Sequence, residues 1–152
     1  MGLECGLISF VERLHRQFLE VVTLELDGLG IHEVNSVQGL MLFNVGDTEM
    51  GVGELIWRGC YLGSTASYNV EKMVENSFLA RERSVHDRRL VLVRLTEKGA
   101  KFRDRLQQMH QRHVEMLERT AITEKDLHAA TVTLGRLDRF WTRIQGIKPA
   151  AA

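Results

Sequence analysis

Proline is nearly missing from this sequence: Pro149 is the only one, in a tail that ends in three alanines. A chain with no internal proline has no stiff spacer between folded parts. Its 152 residues therefore read as a single unit. Cysteine is scarce too. Cys5 and Cys60 lack CxxC spacing, which excludes a disulfide framework and a thiolate metal centre and points to a reducing compartment. No run approaches the roughly 20 apolar residues that cross a bilayer. The opening MGLECGLISFVERLHR carries no basic leader before its short apolar stretch, so it does not read as a signal peptide. A cytoplasmic protein with no membrane partner is the expectation.

Net charge is missing as well, because 20 basic residues balance 20 acidic ones. A neutral total gives no support to nucleic-acid binding, which needs Lys and Arg against phosphate. The distribution changes that reading. Residues 1–54 hold 2 basic and 9 acidic residues, whereas residues 81–105 hold 9 basic and 4 acidic ones. The basic set is Arg81, Arg83, Arg88, Arg89, Arg94, Lys98, Lys101, Arg103 and Arg105. With 44% apolar and 26% charged residues the chain falls within ordinary globular usage, so disorder is excluded. It contains no internal repeat and no low-complexity tract.

What is present is helical periodicity. Leu7, Val11, Leu14, Phe18 and Val22 recur at three- and four-residue steps, so residues 4–27 form an amphipathic helix that stops at Gly28-Leu-Gly30. Asn35 and Gln38 have capping-box spacing, and Val37, Leu40, Met41 and Val45 continue as the apolar face of a second helix. Gly53 to Arg58 predicts a short third helix. Ser64 caps a fourth through about Asn76, with Ala66, Val70 and Met73 facing inward. The period then shortens. Phe78–Ser84 and Leu90–Leu95 suit strands, and the polar segment Val85-His-Asp-Arg-Arg89 joins them as a hairpin. Thr96 caps a long helix with Phe102, Leu106, Met109, His113 and Leu117 on one face. Thr123-Glu-Lys-Asp126 opens a last one with Leu127, Ala130, Leu134, Leu137, Trp141 and Ile144.

Two short helices around a glycine turn, followed by a hairpin with a basic tip, form a unit that can enter duplex DNA. The charge count and the element order select the same segment. At this point the chain resembles the MarR family of winged helix-turn-helix transcriptional regulators. Asp87-Arg-Arg-Leu-Val-Leu-Val-Arg-Leu-Thr96-Glu-Lys-Gly99 fits that family's D-x-R-x-x-x-hydrophobic-x-L-T-x-x-G wing signature. Gly53-Glu-Leu-Ile, Ser64 to Met73, and Leu79-Ala-Arg81 resemble its helix-turn-helix and first wing strand. Two departures stand out. Ser77 occupies the end of the recognition helix, where the family usually has glycine, and the wing tip before Asp87 is short.

The resemblance implies a mainly α fold with a small β-hairpin. A winged helix-turn-helix lobe at about residues 32–99 is combined with dimerisation helices at 1–30 and 100–147, namely the first, fifth and sixth helices. It implies a homodimer on a pseudo-palindromic double-stranded DNA operator, acting as a repressor and modulated by a small-molecule effector. Carried onto this sequence, Ser64, Thr65, Ser67, Tyr68, Asn69 and Lys72 face the major groove. Arg89 enters the minor groove, Asp87 holds its guanidinium, and Arg88 takes a phosphate. The residue types favour an A·T-containing half-site. Phe18, Val22, Phe43, Met109 and His113 are the effector candidates, at the junction of dimerisation helices and DNA-binding lobe.

Other readings stay open. His110 and His113, three apart on a helix, lack supporting ligands, so neither a metal nor a cofactor is expected. Cys5, near a helix start, or Cys60 would make a redox-sensing regulator of the same fold. A winged helix used for protein contacts is a further alternative. No elbow or glycine-rich signature organises Cys60, the histidines and Asp87 for turnover, so an enzyme is not expected.

Overall fold

The computed structural model describes residues 3–59, 61 and 63–146. The element order is α1 (Leu3–Gly28), α2 (Ser36–Val45), β1 (Met50–Gly51), α3 (Val52–Gly59), α4 (Gly63–Glu75), β2 (Leu79–Arg83), β3 (Val91–Leu95), α5 (Glu97–Leu117) and α6 (Glu124–Ile144). The chain divides into two compact units, Met1–Met109 and His110–Ala152. No helix among the described residues is long and apolar enough to cross a membrane. Cys60 and the side chain of Cys5, the two redox candidates, lie outside the described residues.

The first unit is built around one apolar core. Val22 and Leu26 of α1, Met41, Leu42 and Val45 of α2, Leu55 of α3 and Ala66, Val70 and Met73 of α4 close on Leu79, Val93, Phe102, Leu106 and Met109. Truncating a large member such as Leu42 or Met73 to alanine would cost about 2–5 kcal/mol. The stripe on α1 is only partly used: Val22 is fully buried, whereas Leu7 and Leu14 are exposed.

Capping sets the helix starts. Asn35 Oδ1 accepts from the Gln38 N–H at 2.9 Å and Gln38 Oε1 accepts from the Asn35 N–H at 3.1 Å, a reciprocal box at the start of α2. Thr123 and Asp126 form the equivalent box for α6 and hold the Asp126 carboxyl below its usual 3.8, chiefly through the Thr123 hydroxyl. Ser64 departs from expectation. It sits inside the first turn of α4, which begins at Gly63, rather than ahead of it.

The sheet has three strands in the order β1-β3-β2, all antiparallel. Leu79 pairs with Leu95 and Arg83 with Val91, which sets the wing register. The sequence reading contains only the hairpin. Strand β1 is two residues long, too short for any period, and exists because Met50 and Gly51 find Val93 and Leu92 across the ladder.

In the second unit, α6 buries no residue: Leu127, Leu134, Phe140 and Ile144 are all exposed. Within α5, Phe102, Leu106 and Met109 are buried, and His113 and Leu117 are half-buried.

Candidate nucleic-acid interface

Helix α4 has a buried side and an open side. Ser64, Thr65, Ser67 and Tyr68 are exposed, Tyr68 by 61%. Lys72 is half-buried, with Nζ 2.7 Å from Glu75 Oε2 and 5.9 Å from the Tyr68 ring centroid. The hydrogen bond to Glu75, above all, raises the Lys72 amine above its ordinary 10.5, so it stays charged. A solvent-screened pair of this kind is weak and gives way easily to a phosphate.

Asn69 is a correction. It is only 5% exposed, and its Oδ1 accepts a 3.0 Å hydrogen bond from Gln38 Nε2 of α2. Asn69 lies three residues after Ala66 and four before Met73, on their side of the helix, so its side chain is not offered to a groove.

The wing tip is a compact loop. The Ser84 N–H donates to the Leu90 carbonyl at 2.9 Å, and Ser84 Oγ accepts from the His86 and Asp87 N–H groups, each at 3.2 Å. Val85, His86, Asp87, Arg88 and Arg89 are all exposed. Asp87 does something other than expected: its Oδ1 accepts from the Arg89 backbone N–H at 2.9 Å, fixing the turn rather than the guanidinium. That leaves the charged heads of Arg88 and Arg89 without an ion pair among the described residues. Arg94 pairs with Glu82 at 3.6 Å. From Leu79 to Leu95 the wing therefore carries five arginines against two acidic residues.

The joint between α4, the wing and α5 explains the Leu-Thr-x-x-Gly pattern. Thr96 Oγ1 donates to the Ser77 carbonyl at 2.6 Å and accepts from the Gly99 N–H at 3.0 Å, capping α5 while holding the turn after α4. Ser77 itself has φ 64°, in the left-handed region. Its N–H reaches the Val74 carbonyl at 3.0 Å and the Phe78 N–H reaches the Met73 carbonyl at 2.8 Å, a Schellman ending in which glycine is the usual residue. Ser77→Gly is expected to stabilise the protein by about 0.5–1 kcal/mol. Removing the left-handed cost outweighs the extra freedom given to the unfolded chain. A urea titration should show a higher midpoint at unchanged slope.

Four of the five effector candidates lie in the first unit, in or against its core, and His113 lies in the second. Val22 and Met109 have no exposed surface and belong to the core, a correction to their role as pocket residues. Phe18 is partly buried against that core. Phe43 lines a cavity of about 370 Å³ with His15, Leu19, Val37, Leu40, Asn44, Gly59 and Tyr61, all in the first unit. Asn44 Nδ2 donates to Tyr61 Oη at 3.1 Å there. The sequence signal for this cavity was the α1 period itself, since positions 15 and 19 flank the Phe18 stripe. His113 lines a different opening in the second unit, of about 330 Å³, with Met116, Leu117 and Thr120.

His110 is held below the usual imidazole 6.5 by burial and then by the neighbouring charge of His113. A lowered folded value means that the unfolded chain takes up the proton first as pH falls. The contribution to stability is complete above 6.5 and is lost as pH drops through the lowered value. Urea midpoints should fall as the pH drops below 6.5, and His110→Gln should flatten that fall. Among the described residues, no group of three or more His, Cys, Asp or Glu could hold a metal ion.

Comparison with known proteins agrees with this geometry. The profile of a winged helix DNA-binding domain matches residues 34–99. The chain is 32% identical over 135 residues to the exopolysaccharide II synthesis transcriptional activator ExpG of Rhizobium meliloti (strain 1021), covering 89% of this chain and 70% of ExpG. Staphylococcus aureus MarR in complex with salicylate and kanamycin superposes with a TM-score of 0.75 at 17% identity, over 93% of each chain. The chain belongs to the MarR family of winged helix-turn-helix transcriptional regulators. Streptococcus pneumoniae FabT in complex with DNA shares the MarR fold, with a TM-score of 0.75 at 16% identity over 93% of this chain and 99% of FabT. As a MarR-type regulator the protein is DNA-binding, and its family is one of transcriptional regulators rather than enzymes.

Proposed function

We propose that the protein is a cytoplasmic, homodimeric repressor that reads a pseudo-palindromic operator and is modulated by a small effector. The observation that carries this reading is that the open polar side of α4 and the unpaired arginines of the wing belong to one compact unit. Thr65, Ser67, Tyr68 and Lys72, with Ser64 at the helix start, face the major groove. Arg89 enters the adjacent minor groove and Arg88 takes a phosphate.

A second copy covers the apolar residues left open. Leu7, Ile8, Phe10 and Leu14 of α1 are exposed, and so is the apolar face of α6. A 21-residue amphipathic helix with no buried residue gains its stability from another surface. Dimerisation through residues 1–30 and 100–147 supplies that surface. Two-fold symmetry then sets the half-sites about 10 base pairs apart.

The effector occupies the cavity at Phe43, whose volume suits a small molecule. Its walls, mainly Leu19, Val37, Leu40 and Phe43 with His15, Asn44 and Tyr61, favour a flat apolar body carrying a polar group. Repression follows from a dimer lying across a promoter. Activation is a second reading, favoured by the relative ExpG being a transcriptional activator.

Selection of bound fragments from genomic DNA, followed by affinity against salt on the winning sequence, tests the proposal. Expected is a specific site bound at least about a thousand-fold more tightly than random duplex. Equal affinity for every duplex, or a monomer in solution, would refute it. A reporter with the selected site inside or upstream of its promoter decides between repression and activation.

A further inference from the structure

Helix α4 is tied to the chain segment that leads into α2 at its centre and at its end. At the centre, buried Asn69 accepts from Gln38 Nε2 at 3.0 Å, while the same Gln38 side chain closes the α2 cap through Oε1 on the Asn35 N–H. At the C-terminal end, Asn76 Nδ2 donates to the Glu33 carbonyl at 2.9 Å. Lys98 Nζ bridges Glu33 Oε1 at 3.2 Å and the Asn76 carbonyl at 3.1 Å.

The rest of the buried side of α4 is apolar, formed by Ala66, Val70 and Met73. Apolar packing turns one side of a helix inward, but being non-directional it sets the rotation only coarsely. A buried amide-to-amide hydrogen bond is directional, and losing it leaves a donor unsatisfied. Rotation of α4 about its axis decides where Thr65, Tyr68 and Lys72 point.

We infer that Gln38 is a positioning residue for operator reading: it sets the rotation of α4 through Asn69. This rests on the DNA-reading role of α4 proposed above. Base edges are read by short, oriented contacts, whereas long basic side chains find phosphate from many angles. Loss of the bridge should therefore reduce discrimination between operator and random DNA, not general affinity.

The test is the ratio of operator to random-duplex affinity at fixed salt, for wild type and four variants. Asn69→Asp keeps an acceptor for Gln38, and Gln38→Glu keeps the α2 cap oxygen and accepts from a turned Asn69 amide. Both should hold the ratio within about three-fold, the tolerance of a site that misreads no base pair. Gln38→Glu combined with Asn69→Asp sets two carboxylates face to face, and Asn69→Leu removes the acceptor. Each of these should lower the ratio about ten-fold or more, as for a misread base pair, with random-duplex affinity and salt slope unchanged. Asn69→Leu leaves Gln38 Nε2 without its acceptor but buries no charge, so it keeps the comparison available where the double variant does not fold. If the disrupted variants keep the wild-type ratio, or if operator and random affinity fall by the same factor, the inference fails. A wild-type protein with no operator preference overturns instead the reading beneath it.

Discussion

Replacing Arg89 by alanine is expected to weaken operator binding by about ten- to a hundred-fold and to lower the salt slope by about 1, with the oligomeric state unchanged. The geometry supports a large effect. Asp87 is spent on the Arg89 backbone N–H, so the turn survives the substitution while the guanidinium disappears. That guanidinium has no ion pair among the described residues, so none of them competes with DNA for it. The loss should be greatest on operators with a narrow A·T-rich minor groove beside the half-site, where negative potential is concentrated. Fluorescence anisotropy across a salt series, with sedimentation to compare the oligomeric state with wild type, measures both quantities. Unaltered operator affinity and salt slope would remove Arg89 from the DNA contact.

A large effect on stability should come from Gly99→Ala, with a loss of about 3 kcal/mol or more, comparable to truncating a large core side chain. A Cβ at Gly99 would run into the Phe78 backbone carbonyl oxygen, with the Phe78 carbonyl carbon at 3.1 Å and Leu95 Cδ2 at 3.2 Å. Backbone cannot yield as a side chain tip does. The same carbonyl accepts from the Thr96 N–H at 3.1 Å, so any shift also disturbs the cap of α5. Urea unfolding compared with wild type measures the cost. A loss below about 1 kcal/mol would mean that the joint between α4, the wing and α5 is softer than these contacts indicate.

Several features were legible before any coordinates because they depend on neighbours in the chain. The Asn35 and Thr123 caps, the buried triad Ala66, Val70 and Met73, and the wing hairpin all follow from spacing and local hydrogen bonding. Asn69 was misjudged because its polarity outweighed its position, although its distances from Ala66 and Met73 already placed it on the inward side. Gln38 was legible as a cap and not as a bridge, since its partner is 31 residues away. Val22 and Met109 were read as pocket residues because an apolar stripe does not say which of its members a cavity reaches.

The helical order, the basic wing and the family are legible along the chain, because periodicity, charge and the Asp87 to Gly99 signature are properties of a linear string. The third strand at Met50–Gly51, the use of Asp87 on backbone rather than on Arg89, and the steric need for Gly99 emerge only once the chain is folded. Each of these depends on directional contacts or close approach between atoms whose relative placement the completed fold supplies. A pattern of residue types fixes which surfaces can meet, while hydrogen-bond geometry and excluded volume select the atoms that do.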